Sequence, residues 1–216
     1  MDMLHGLYLA ENLLGAPVTG VSAFVDSVTD GDAVEGLALC RLEAGRRVGM
    51  VNIGWGHGPG GIAVNGTDGR AVAHYRADGT TPWAPFTDLT VTTANGTRTL
   101  DLPRGQELAP LVADAMRDTV ADLADAITRK HAPAADGAAA LHTLETTIAA
   151  YASAALGRTV SVPLPTDGPL HTAGVIGLRD LRDDQAVPTS SLVRRRGLFG
   201  LTPATSDSAA IDSAGG

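Results

Sequence analysis

Apolar positions change period twice along this chain. In the opening run, residues 1–15, Leu7, Leu9, Leu13 and Leu14 give helical faces, and Gly15 followed by Pro17 closes the helix. The next ninety residues alternate. Val18, Val21, Ala23 and Val25 against Thr19, Ser22 and Asp26 predict a strand reaching Val28. Ala33–Leu42 reads as a strand with both faces partly apolar. Arg47–Trp55 returns from it through a Glu43-Ala44-Gly45-Arg46 hairpin connection. Ile62–Val64 and Arg70–Tyr75 flank the Asn65-Gly66-Thr67-Asp68-Gly69 turn, and Leu89–Thr93 and Thr97–Leu102 flank Asn95-Gly96. From Leu108 the spacing becomes three and four. Leu108, Leu111, Val112, Ala115, Met116, Val120, Leu123 and Ile127 predict one amphipathic helix, and Leu141, Leu144, Ile148, Tyr151, Ala152 and Ala155 a second.

Strands on short turns followed by helices predict an α+β fold: an open, mostly antiparallel sheet with helices packed on one face. Several strands are apolar on both sides, so the other face is available for dimerisation. The texture changes beyond Pro165. Leu170–Leu181 fits a strand or a short helix, and the Ser-, Ala- and Gly-rich end from Thr202 reads as a solvated tail. The division expected is 1–165 as one domain and 166–216 as a partly disordered extension.

A net charge of -8 argues against nonspecific binding to nucleic acid or anionic membrane, Arg194-Arg195-Arg196 notwithstanding. No apolar stretch approaches the ~20 residues that span a bilayer, and no signal peptide is evident, so a cytoplasmic protein is expected. Cys40, the one cysteine, sits in an apolar strand as a small core residue. Asp26, Asp30 and Asp32 do not match a calcium loop, and no His/Cys spacing suggests zinc. Gly56-His57-Gly58-Pro59-Gly60-Gly61 matches G-x-G-x-x-G in letters only. A dinucleotide needs that run to open a helix, whereas Ile62 and Val64 continue into a strand and Pro59 removes an amide. The two Asn-Gly-Thr sites are turn chemistry.

The opening run, with Asp2, His5 and a leucine-rich helix ending in Leu14-Gly15, resembles the start of the C-terminal domain of the Gfo/Idh/MocA family of NAD(P)-dependent oxidoreductases. The family carries a D-x-x-x-H pair there. The closing pattern is similar too: a helix through Ile127, a Pro133 to Asp136-Gly137 loop, a helix through Glu145 and Ser153, a Gly157-Arg158 turn, and a strand ending in Leu164-Pro165. The resemblance covers about residues 1–165. Asp2 precedes His5 by three positions where the family has four, so the carry-over is to His5, with Asp2 and Glu11 as its nearest carboxylates in sequence.

The resemblance implies His5, supported by Asp2, as the base that takes a hydroxyl proton from a sugar or polyol while hydride leaves. Imidazole suits this because its ordinary pKa is ~6.5. It further implies Trp55, His57 and Tyr8 near the substrate cleft. The family's Rossmann domain and its Glu-Lys-Pro lysine have no counterpart here, and Lys130 sits instead at a helix C-terminus. The expectation is a substrate-binding and oligomerising part, inactive alone, with no cofactor bound by this chain and NAD or NADP used by the intact enzyme. Its partner would be a second copy through the sheet, or a separate Rossmann-domain chain. The alternative is a non-catalytic dimerisation module.

Overall fold

The computed structural model describes residues 2–26, 36–54, 60–75, 86–101 and 108–181. In order, the elements are α1 (Asp2–Leu14), β1 (Gly20–Asp26), β2 (Leu37–Ala44), β3 (Arg47–Gly54), β4 (Gly61–Asn65), β5 (Gly69–Tyr75), β6 (Phe86–Thr93) and β7 (Gly96–Asp101). They continue with α2 (Leu108–Arg129), α3 (Gly137–Leu156), β8 (Val160–Ser161), α4 (Pro169–Ala173), a 3-10 turn (Gly174–Gly177) and α5 (Leu178–Leu181). The fold is α+β, with its strands in two open four-stranded sheets ordered β3-β2-β1-β8 and β4-β5-β6-β7. The chain divides into two compact units, Met1–Ile53 with Leu144–Gly216, and Gly54–Thr143.

The first unit holds the core. Alternation on β2 turns Ala38, Cys40, Leu42 and Ala44 inward and Leu39 and Arg41 outward. The antiparallel register sets Val21 against Leu42, Ala23 against Cys40 and Val25 against Ala38, so β1 and β2 share one apolar face. Met3 and Leu7 of α1 and an alanine run on α3 (Ala149, Ala150, Ala152, Ala154 and Ala155) bury against it. Small side chains let α3 lie close to the sheet, and β8 is only two residues long. Beyond it the edge of β1 is met by the helix instead: the Ala23 amide donates to Ser153 Oγ at 2.9 Å. The Cys40 thiol points at Met3 Sδ, 3.7 Å away, and burial pushes its pKa up to about 12, which makes it the inert core residue expected.

The core continues past residue 165. Leu170 and Leu178 are buried in it, and Leu170–Leu181 forms short helices, the second of the two sequence alternatives. Helix α1 departs from the leucine pattern, because Leu9 and Leu13 are exposed while Met3 is buried. A leucine count does not say which of two apolar stripes meets the sheet.

In the second unit, register groups Ile62, Ala73, Leu89 and Leu100 with Val64, Ala71 and Val91 on one sheet face. The other face carries hydroxyl pairs, Thr92 with Thr97 at 3.0 Å and Thr90 with Thr99 at 3.5 Å. The Asn95-Gly96 signal marks a real hairpin, shifted by one residue: Thr93 pairs with Gly96, which opens β7 at φ 121°. Asp136 Oδ1 accepts from the Ala139 amide at 2.7 Å and starts α3, and Asp122 Oδ2 holds the Ala134 amide at 2.8 Å.

The α2–α3 connection contains a histidine whose two ring nitrogens both face acceptors. His131 Nδ1 lies 2.8 Å from the Ala132 carbonyl oxygen, and Nε2 lies 3.1 Å from Asp125 Oδ2. Only the imidazolium donates from both. The Ala132 carbonyl first, then the Asp125 carboxylate, with the Asp122 charge adding, raise its pKa above the usual 6.5. A raised folded-state pKa means the stabilisation is complete below the unfolded value and is lost as pH rises through the folded one. The ring proton signals of His131 are therefore expected to titrate with a midpoint above that of an unstructured histidine, and His131→Asn should remove the matching pH dependence of stability. A midpoint at or below the ordinary value would contradict the two-acceptor geometry.

Candidate functional site

Helix α1 presents His5, Tyr8, Leu9, Asn12 and Leu13 to the outside, while Met3 and Leu7 are buried beneath them. Positions 5, 8, 9 and 12 follow the three-and-four spacing of one helical face, so His5 and Tyr8 are neighbours one turn apart. The helix is held from three sides. Gly6 lets it press on β3: a Cβ there would lie 2.9 Å from Ile53 Cδ1 and 3.2 Å from Val51 Cγ1. Gly15, at φ 59°, ends it by donating to the Glu11 carbonyl at 3.1 Å, and the Arg47 guanidinium donates to the Leu14 carbonyl. Thr146 Oγ1 of α3 donates to Glu11 Oε1 at 2.5 Å. The outcome is a histidine on a braced helix, exposed on the face away from the core.

The carboxylates near His5 in sequence are not equivalent. Glu11 points toward α3, where Thr146 takes it, and a helical rotation of six residues puts it on a different side from His5. Asp2 is the first residue of α1, and its side chain lies outside the description. Trp55 and His57 also fall outside the described residues. The structure therefore brings together His5 and Tyr8 of the five sequence candidates.

One ionisable pair escaped the sequence. Glu145 of α3 is 6% exposed, and His171 Nδ1–H of α4 donates to its Oε1 at 2.9 Å. The partners are 26 residues apart, a separation no local motif encodes. The pair ties the 169–181 segment to α3.

Of the glycine run, Gly60 and Gly61 lie within the described residues. Gly61 opens β4, which pairs antiparallel with β5, and no helix begins there to aim amides at a pyrophosphate. Among the described residues no three His, Cys, Asp or Glu side chains gather as a metal site, and no helix is long and apolar enough to cross a membrane.

Residues 1–162 match the family model described as the C-terminal alpha/beta domain of the Gfo/Idh/MocA oxidoreductase family. Among solved structures, the chain is similar to an oxidoreductase from Agrobacterium radiobacter in complex with NAD+, L-tartaric acid and magnesium. The TM-score is 0.60 and the identity 23%, over 74% of this chain and 47% of that one. It is also similar to the UDP-N-acetylglucosamine 3-dehydrogenase GnnA from Acidithiobacillus ferrooxidans. There the TM-score is 0.52 and the identity 17%, over 70% of this chain and 45% of that one. The chain thus spans about half the length of these structures, and at such identities the likeness is one of fold. No curated protein matches.

Proposed function

Because the chain belongs to the Gfo/Idh/MocA oxidoreductase family, as its C-terminal α/β domain, we propose that it is the substrate-side half of a sugar or polyol dehydrogenase, inactive by itself. The observation that carries this reading is His5, exposed on the braced outer face of α1 beside Tyr8. In this reading His5 accepts the proton of a substrate hydroxyl as the adjacent carbon loses hydride, and Tyr8 lines the same face. A separate nucleotide-binding domain supplies NAD or NADP, and this fold keeps the substrate's hydroxyl against the imidazole. The Agrobacterium radiobacter neighbour holds a polyhydroxylated acid, and GnnA acts on a UDP-sugar, which supports a polyhydroxylated substrate class.

Calorimetric titration of the purified chain with NADH and NADPH is the test, paired with nuclear magnetic resonance of the His5 ring during addition of inositol, glucose or L-tartrate. The expected result is no saturable nucleotide binding, and a perturbation of the His5 signals by at least one polyol that Tyr8→Ala weakens. Micromolar binding of either nucleotide, or a His5 ring indifferent to every polyhydroxylated compound, would overturn the reading.

A second reading has its own observation. Phe24, Leu39, Val48 and Met50 lie exposed on the outward side of the first sheet. They suit a non-catalytic module that pairs with a second copy through the open sheet face.

A further inference from the structure

The second unit has almost no core of its own. Among its described residues only Ala126 and Thr143 are buried. A four-stranded sheet and a 22-residue helix fold stably only by removing apolar surface from water. Yet Val112, Met116, Val120, Leu123 and Ile127 of α2 stand 48–72% exposed. Their spacing of four, four, three and four confines them to one stripe, about 22 Å long at 1.5 Å per residue.

The rim of that stripe is as informative as its centre. The neighbouring helical positions are Ala109, Ala113, Thr119 and Ala124, small and uncharged. With one exception the charges are elsewhere on the helix. Asp114 pairs with Arg117 at 2.6 Å and Asp125 with Arg129 at 2.9 Å; Arg117 flanks the stripe one turn from Val120, the other three lie on the far side, and Asp122 is taken by the Ala134 amide. A solvated helix face ordinarily interleaves charge with its apolar positions, whereas this one has a single charge, Arg117, at one edge and otherwise small neighbours that leave room for a second backbone to approach.

We propose that α2 is a self-pairing surface, packing antiparallel against α2 of a second copy across a two-fold axis near Val120. The stripe is nearly symmetric about that residue, so reversal sets Val112 opposite Ile127 and Met116 opposite Leu123, and Val120 meets its own copy. Five such side chains expose on the order of 500 Å² of apolar surface per copy, the size of the largest patch a monomer ordinarily carries, which is often a functional one. Two copies remove roughly 1,000 Å², about where a specific interface begins. Antiparallel helices also oppose their dipoles favourably. This surface is independent of the catalytic reading and of the open face of the first sheet.

The chain provides a clean background for cross-linking, because its one thiol, Cys40, is buried. Val120→Cys in the full chain, treated with oxidised glutathione, is expected to give a disulfide-linked dimer. The two introduced thiols, one from each copy, are oxidised to one disulfide as glutathione disulfide is reduced to two thiols. Val112→Cys alone should cross-link at least about tenfold more slowly, because its thiol faces Ile127 rather than its own copy. Val112→Cys combined with Ile127→Cys should restore dimer formation. Leu39→Cys, on the open sheet face, reports separately on pairing there. In light scattering, Val120→Glu should shift the unmodified chain from dimer toward monomer with unchanged circular dichroism. Should α2 instead lie on its own sheet, Val120→Cys with Val91→Cys would form an intrachain disulfide and the chain would stay monomeric. That result overturns the proposal, as does a Val120→Cys chain that cross-links no faster than Val112→Cys.

Discussion

Leu7→Ala is expected to destabilise the protein by about 2–5 kcal/mol, read as a lowered urea midpoint at unchanged slope. Leu7 is fully buried in a core shared with β1, β2 and α3, the last more than ninety residues of chain beyond β2. Truncation leaves a cavity that cannot collapse without moving α1, which Gly6 has already brought against Ile53 and Val51. Leu13→Ala on the same helix removes the same atoms from an exposed site and should change stability by less than about 0.5 kcal/mol. The contrast has a functional side. His5 sits two residues before Leu7, and its placement depends on the helix being seated. Conditions that leave Leu7→Ala folded should still broaden the His5 ring signals, while Leu13→Ala should leave them sharp. Equal effects of the two substitutions would mean that the helix is not anchored through its Met3–Leu7 side.

Local chemistry carried most of the fold, and it stopped where partners are distant. Gly15 and Pro17 end α1 because one adopts φ 59° and the other cannot continue a helix. Alternation from Val21 to Val25 and from Ala38 to Ala44 reports a half-buried sheet because side chains on a strand point to opposite faces. Two things were beyond such patterns. Met3 rather than Leu9 faces the core, because the choice between stripes on α1 is made by the shape of β2 and β3. The strands separate into two sheets, and no single-strand period records which strand neighbours which. Within the candidate site the family motif singled out His5, and it is the structure that sets Tyr8 one turn along the same exposed helical face. Glu11 was legible only as a nearby acid, and Thr146, 135 residues away, decides where it points. The α2 period correctly announced an amphipathic helix, but periodicity names a face without naming what covers it.

The Glu145–His171 pair gives the second large effect, and its size depends on which partner is removed. His171→Ala should cost about 2–4 kcal/mol, because it leaves a buried carboxylate with this donor gone. The figure sits below that of a fully enclosed ion pair because His171 is itself part-exposed and water can reach one side. Glu145→Gln keeps an acceptor for Nδ1–H and should cost no more than about 1 kcal/mol. Replacing both, Glu145→Leu with His171→Leu, removes the desolvation penalty together with the attraction, so this double variant should unfold within about 1 kcal/mol of the parent. Completed by the single variants Glu145→Leu and His171→Leu, the cycle separates a paired buried group from two unrelated side chains: strict additivity of these singles would refute the pairing. The same cycle tests how the 169–181 segment is held. Leu170 and Leu178 bury its apolar side, and His171 supplies its polar contact to α3. Amide exchange in α4 and α5 should therefore accelerate in His171→Ala well before the strands of the first sheet open, since local opening there exposes only Leu170, Leu178 and the partly buried Val175 and Leu181.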